Sequence, residues 1–211
     1  GVQGKELRLA VQNQTLWDTS NPYLYDMKVS LTKDGKVVDD VKSYTAFRKI
    51  SSKRDANGIM RMQLNNKNLF QYGPLDQGWW PDGLYTAPTD EALLYDIVKT
   101  KDWGFNMIRK HVKVEPARWY YHCDKEGILV WQDMPSGDMG NQWAPHTYNG
   151  GTDKERSSAS IANYYQEWKE IMDLCVSHPS VVVWVPFNEA WGQFDTEKVA
   201  EWTKNYDPSR L

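Results

Sequence analysis

The sequence predicts an α/β fold: the first half of an eight-stranded (β/α)8 barrel, preceded by part of an all-β sandwich. Three observations lead there. The first 65 residues read as β structure, with apolar and polar side chains alternating at period two in Glu6–Val11 and Tyr23–Leu31. From Asn68 the pattern becomes strand, loop, helix, repeated, and the strands are nearly continuous apolar runs, as in a parallel sheet covered by helices. No G-x-G-x-x-G or Walker sequence follows any of those strands. A nucleotide-binding doubly wound sheet is therefore disfavoured, and a barrel, with its chemistry in the loops after the strands, remains.

Residues 1–65 read as the sandwich portion. Glu6–Val11 and Tyr23–Leu31 alternate as half-buried strands do, and Pro22 stands where a strand can tolerate a lost N–H. Asp34-Gly35 is a hairpin signal, with Val37–Ile50 as the return strand. A further hairpin joins Ala46–Ser52 to Gly58–Leu64 through a polar turn. This is too little for a complete sandwich of about 100 residues.

Residues 66–211 read as the barrel half, short of the ~250 residues of a whole barrel. Asn68–Gly73 is the first strand. Thr89–Gly104 is a helix with Thr89 as its cap, acids in its first turn and Leu93, Leu94, Ile97 and Val98 on its apolar face. Phe105–His111 is the second strand, and the helix from Glu115 opens near Pro116 and stops at Gly127. Ile128–Pro135 is the third strand. The loop Ser136–Ser160, with Trp143 and Tyr148 inside it, is too long for a mere connector and reads as a rim over the pocket. Ile161–His178 is the third helix, Pro179–Glu189 the fourth strand, and Asp195–Asp207 a fourth helix that opens with its own cap.

Composition narrows the function. With 25 Lys+Arg against 28 Asp+Glu the net charge is −3, which argues against a nucleic-acid partner. No apolar run approaches the ~18 residues of a membrane span, and nothing at Gly1 resembles a signal peptide. The compartment and the formation of a homo-oligomer stay open. Cys123 and Cys175 are too few for a disulfide framework or zinc site and read as two buried thiols. Four scattered histidines, at 111, 122, 146 and 178, give no metal cluster, so neither a metal nor a cofactor is implied. The 11 Trp and 12 Tyr against 5 Phe favour amphipathic rings, which suit core edges and also stack on sugars.

The strongest chemical signal is HPSVVVWVPFNEAWG, His178 to Gly192. An apolar strand runs into Asn188-Glu189, with Trp191 close behind. A carboxylate there, buried against rings, gains the raised pKa that a general acid needs. The bland alternative is that Glu189 caps the fourth helix or pairs with a lysine.

That segment resembles the acid/base region of family-2 glycoside hydrolases, the β-galactosidase, β-glucuronidase and β-mannosidase group. LWDTSNPYLYDMKVSL with VVDDVKSYTAFRKI is similar to the end of that family's immunoglobulin-like sandwich. FNMIRKHVKVEPARWYYHCDKEGILVWQDMP resembles its second and third TIM-barrel strands, closest to the mannosidase-like branch. The resemblance implies a retaining hydrolase of an oligosaccharide or other β-glycoside. It makes Glu189 the acid/base, Asn188 the partner of the sugar 2-hydroxyl, and Arg109 the residue that keeps the nucleophilic carboxylate ionised. Arg109 can alternatively be a plain ion pair. His111 matches a sugar-contacting histidine at altered spacing, or is a packed one. Gln132 and Asp133 are expected to face the pocket floor, although Asp133 can instead pin a loop. Asp76 lies in a first loop whose wording, YGPLDQGWWPDG, departs from the galactosidase pattern. Trp191 is a candidate stacking surface at the leaving-group side; Trp79 and Trp80 read first as anchors of their loop. The resemblance places the nucleophile on a later strand, outside these residues. A non-catalytic carbohydrate-binding or scaffold protein on the same fold is the alternative.

Overall fold

The computed structural model describes residues 1–2, 4–135, 137–138, 153–188 and 192–211. Expectations for Glu189, Trp191 and most of the 136–160 loop, including Trp143, His146 and Tyr148, lie outside the described residues.

β1 (Tyr25–Lys33) and β2 (Lys36–Thr45) form an antiparallel ribbon. Asp34 and Gly35 both take positive φ, 50° and 76°, as the expected two-residue hairpin turn requires. The ribbon leaves Val29, Leu31, Val38 and Val41 exposed. Glu6–Val11, expected as a strand, forms none among the described residues and stays exposed. β3 (Ile50–Arg54), β4 (Met60–Leu64) and β5 (Lys67–Asn68) form a second antiparallel sheet. Ile50 and Leu64, with fully buried Trp17, pack on Met107, Leu129, Val182 and Val183, closing the N-terminal end of the parallel strands.

Those strands are β6 (Leu75–Asp76), β7 (Met107–Lys110), β8 (Leu129–Asp133) and β9 (Val181–Val185), parallel and in sequence order. Between them lie α1 (Asp90–Asp102), α2 (Ala117–Glu126) and α3 (Ser158–Cys175), and α4 (Thr196–Tyr206) follows β9. Leu93, Ile97, Trp119, Cys123, Trp168, Cys175 and Val199 of these helices share one core with Ile108, Val130, Val181 and Trp184 of the sheet. Both cysteines are free and buried.

The first parallel strand sits later than Asn68–Gly73. The carbonyls of Tyr72, Pro74 and Asp76 accept from the N–H groups of Asn106, Arg109 and His111, while Phe70 is exposed. Gly73 permits this approach: a Cβ there would stand 1.7 Å from the Met107 carbonyl oxygen. Gly73→Ala is therefore expected to lower unfolding free energy by about 1–3 kcal/mol, the usual cost of overpacking, measurable by urea denaturation.

The helix ends are capped locally. Thr89 Oγ1 accepts from Ala92 N–H, Ser157 Oγ from Ser160 N–H, and Gly127 ends α2 at φ 75°. α4 departs from expectation. Asp195 adopts φ 39° and makes no side-chain cap. Instead Asp153 accepts from Thr196 N–H and Thr196 Oγ1, both at 2.8 Å.

Ribbon and sheet meet at Asp124 of α2, which is fully buried. Its Oδ2 accepts from Tyr44 Oη at 2.7 Å and lies 2.7 Å from His178 Nδ1, and its Oδ1 accepts from Ser180 N–H. Its backbone carbonyl accepts from Trp17 Nε1 at 2.7 Å. Burial and the Asp124 charge push the Tyr44 hydroxyl well above the ordinary tyrosine range, so it stays a donor.

Candidate active site

Register decides which strand-end residues meet. Asp76, Lys110, Gln132 and Trp184 are paired neighbours across the four strands and so lie on one face. That face looks at the helices: Trp184 belongs to the helix core, and Lys110 Nζ stands 4.2 Å from the centroid of Trp119 in α2. Arg109 and Asp133 occupy the opposite face.

There the chemistry converges. Arg109 Nε and Nη2 each donate to one oxygen of Asp133, both at 2.9 Å, and Nη2 also donates to Asn188 Oδ1 at 2.9 Å. Asp133 is fully buried and Asn188 nearly so. Burial pushes the Asp133 carboxyl above its ordinary value, with the Arg109 hydrogen bond and charge pulling against it. Asp133 Oδ2 also receives Val112 N–H at 3.3 Å. Val112 needs that tie, because a β-branched residue at φ 46° is strained by about 1–3 kcal/mol. Asp133 thus both pairs with Arg109 and pins the turn after His111. The second amide atom of Asn188, Nδ2, is buried and has no hydrogen-bond partner among the described residues. Buried donors are normally satisfied, so the acceptor for this one lies beyond the described residues. His111 is buried beside this cluster, its Nδ1 2.9 Å from Gln77 Nε2.

Two candidates stand apart from this cluster and its expected pocket. Gln132 does not face its floor: Nε2 donates to the carbonyls of Lys113 and Asp133, and Oε1 accepts from Tyr120 Oη at 2.6 Å, all on the helix side. Asp76 lies in the same row, its Oδ2 2.6 Å from Lys110 Nζ and its Oδ1 accepting Gly78 N–H. Strand alternation is the reason for Gln132: its neighbour Asp133 takes the face that Arg109 shares.

Sequence reasoning missed the ion network behind that wall. Lys110 is 1% exposed, and its ammonium lies 2.6 Å from Asp76 and 2.9 Å from Glu115 Oε1. Lys113 Nζ reaches the same Glu115 oxygen at 2.9 Å and donates to the carbonyls of Gly78 and Tyr85, at 2.6 and 2.9 Å. A Cβ on Gly78, itself at φ 61°, would stand 2.3 Å from Glu115 Oε1, so the ions approach the loop backbone as only glycine allows. The charged run KHVKVEP directly after an apolar strand was the available signal.

Comparison with known proteins places this half barrel in a class of carbohydrate-active folds. Residues 62–211 match the profile described as glycosyl hydrolases family 2, TIM barrel domain, and residues 1–48 match that of glycosyl hydrolases family 2. The chain belongs to the glycosyl hydrolases family 2. It is 28% identical over 190 residues to a putative β-glucuronidase of Formosa agariphila, covering 89% of this chain and 20% of that protein. It is 28% identical over 212 residues to a β-galactosidase of Halalkalibacterium halodurans, covering 96% of this chain and 20% of that one. The chain thus spans about a fifth of these relatives' length. In fold it is similar to a β-D-glucuronidase of Dictyoglomus thermophilum, with TM-score 0.78, 20% identity, and coverage of 95% of this chain and 34% of the other.

Proposed function

We propose that this chain contributes the acid/base half of the active site of a retaining glycosidase acting on β-linked sugars. The observation that carries the reading is Arg109 bridging Asp133 and Asn188 at the C-terminal end of the parallel strands, with Asn188 Nδ2 left unpartnered. Asn188 is the donor for the sugar 2-hydroxyl, a contact that strengthens towards the transition state. The next residue, Glu189, is the general acid/base, and Trp191 stacks at the leaving-group side. His111 and Asp133 complete the sugar-facing wall. Arg109 orients Asn188 and places positive charge beside the nucleophilic carboxylate. That carboxylate, required about 5–5.5 Å from the acid/base, comes from a segment outside these 211 residues. The names of the relatives point to galactosides and glucuronides as the first substrates to try.

The test is a panel of aryl β-galactoside, β-glucuronide, β-mannoside and β-glucoside offered to the enzyme carrying this segment. Turnover of at least one is expected, with none from the 211 residues alone. Binding of sugars with no hydrolysis by the intact enzyme would replace this reading with a carbohydrate-binding module.

A further inference from the structure

The loop between β6 and α1 carries an aromatic pair that the pocket does not use. Trp79 and Tyr85 pack with ring centroids 4.3 Å apart and planes inclined by 36°, yet they are 54% and 53% exposed. Rings of this size normally bury themselves. The expectation that Trp79 anchors the interior of its loop therefore fails, whereas half-buried Trp80 does pack against the core.

The loop is nevertheless cross-tied by hydrogen bonds. Trp80 and Leu84 exchange backbone hydrogen bonds at 2.8 and 3.0 Å, which closes the loop on itself. Lys113 reaches in from the β7–α2 connection and ties Gly78 to Tyr85, the two ends of the segment, through their carbonyls. Its ammonium also stands 5.2 Å from the centroid of the Tyr85 ring. A nearly buried lysine anchored on Glu115 thus holds an exposed aromatic surface in one place. The surface adjoins the candidate site, because Gln77, the residue before Gly78, bonds His111.

We infer that Trp79 and Tyr85 form an additional carbohydrate subsite, a stacking platform for a pyranose ring of the substrate other than the one whose bond is cleaved. The inference rests on the sugar-active reading above and extends it to longer substrates. A pyranose has apolar C–H faces and hydroxyl edges, the complement of amphipathic indole and phenol rings. The hydrogen bonds that close the loop hold the two rings together before a sugar arrives, and such preorganisation favours affinity.

The test uses binding rather than turnover, so it does not depend on hydrolysis. Cellotetraose, β-1,4-galactotetraose and β-1,4-mannotetraose are titrated against the intact enzyme carrying Glu189→Gln, which holds them uncleaved, by tryptophan fluorescence and calorimetry, alongside the matching methyl β-glycosides. At least one tetrasaccharide should bind more tightly than its methyl glycoside. Trp79→Ala should cut that tetrasaccharide preference about 10-fold, in keeping with the loss of one aromatic stacking contact. Trp79→Phe, which keeps a ring, should recover part of it, and Tyr85→Ala should fall with Trp79→Ala. An unaltered preference in Trp79→Ala overturns the platform, and so does a parent with both rings intact that shows no preference for any tetrasaccharide. The aryl glycoside panel reports separately on the function: turnover there with an unaltered preference here removes the platform alone. A melting curve for each variant, expected to overlay wild type at so exposed a position, separates lost binding from lost fold.

Discussion

On the proposed reading, Glu189→Gln in the intact enzyme is expected to slow hydrolysis of natural glycosides by roughly 10²–10⁴-fold, the usual contribution of a positioned general acid. The loss should depend on the leaving group. A poor leaving oxygen needs a proton as its bond breaks, whereas dinitrophenolate does not. With a dinitrophenyl glycoside the first step should survive and the glycosyl-enzyme should accumulate, because the same residue must then act as base towards water. Azide needs no base, so adding it should restore turnover and yield a β-glycosyl azide. A Glu189 that only caps a helix or pairs with a lysine makes the opposite pattern: equal loss on every substrate, no azide rescue and a lowered melting temperature. That pattern would remove the acid/base assignment while leaving family membership intact.

Lys110→Met is expected to lower unfolding free energy by about 3–5 kcal/mol, the cost of breaking a buried ion pair by removing one partner. Lys110 is 1% exposed and stands between Asp76 and Glu115. Methionine fills the space but leaves two carboxylates with one ammonium, that of Lys113, which reaches Glu115. Asp76→Asn in the same chain should recover part of the loss, since removing a charge together with its partner costs less than stranding it. Urea denaturation followed by far-ultraviolet circular dichroism measures both. A loss below about 1 kcal/mol would give Lys110 the energetics of a surface pair and contradict its burial.

The architecture was legible wherever sequence carried two independent cues. The Asp34-Gly35 turn between alternating strands, Thr89 before α1 and Gly127 after α2 all stand where expected. Glu6–Val11 had only one cue, alternation, and formed nothing. The motifs singled out Arg109 and Asn188, which the fold brings within hydrogen-bond distance, but the facing of strand ends was not readable. Leu129–Asp133 is apolar before it turns polar, because both faces of a covered parallel strand are buried, and such a run gives no parity to read. The same blindness set Gln132 on one face with Asp133, although the two point to opposite sides of the sheet. The buried lysines were hidden for another reason: lysine is so seldom fully buried that a charged run reads as surface.

Asp124 has a consequence for how the molecule comes apart. Side chains from Trp17, Tyr44 and His178, and the backbone of Ser180, all converge on this one residue of α2. Opening the Tyr44 or the Trp17 bond takes a partner from a buried residue, so the Tyr44 end of the ribbon and the segment around Trp17 are tied to the barrel half through α2. The segments 1–48 and 62–211 match separate profiles, yet Trp17 and Tyr44 of the first bond Asp124 of the second, so the two are expected to unfold in one transition. A gene cut between them would divide a shared interior and not two independent modules.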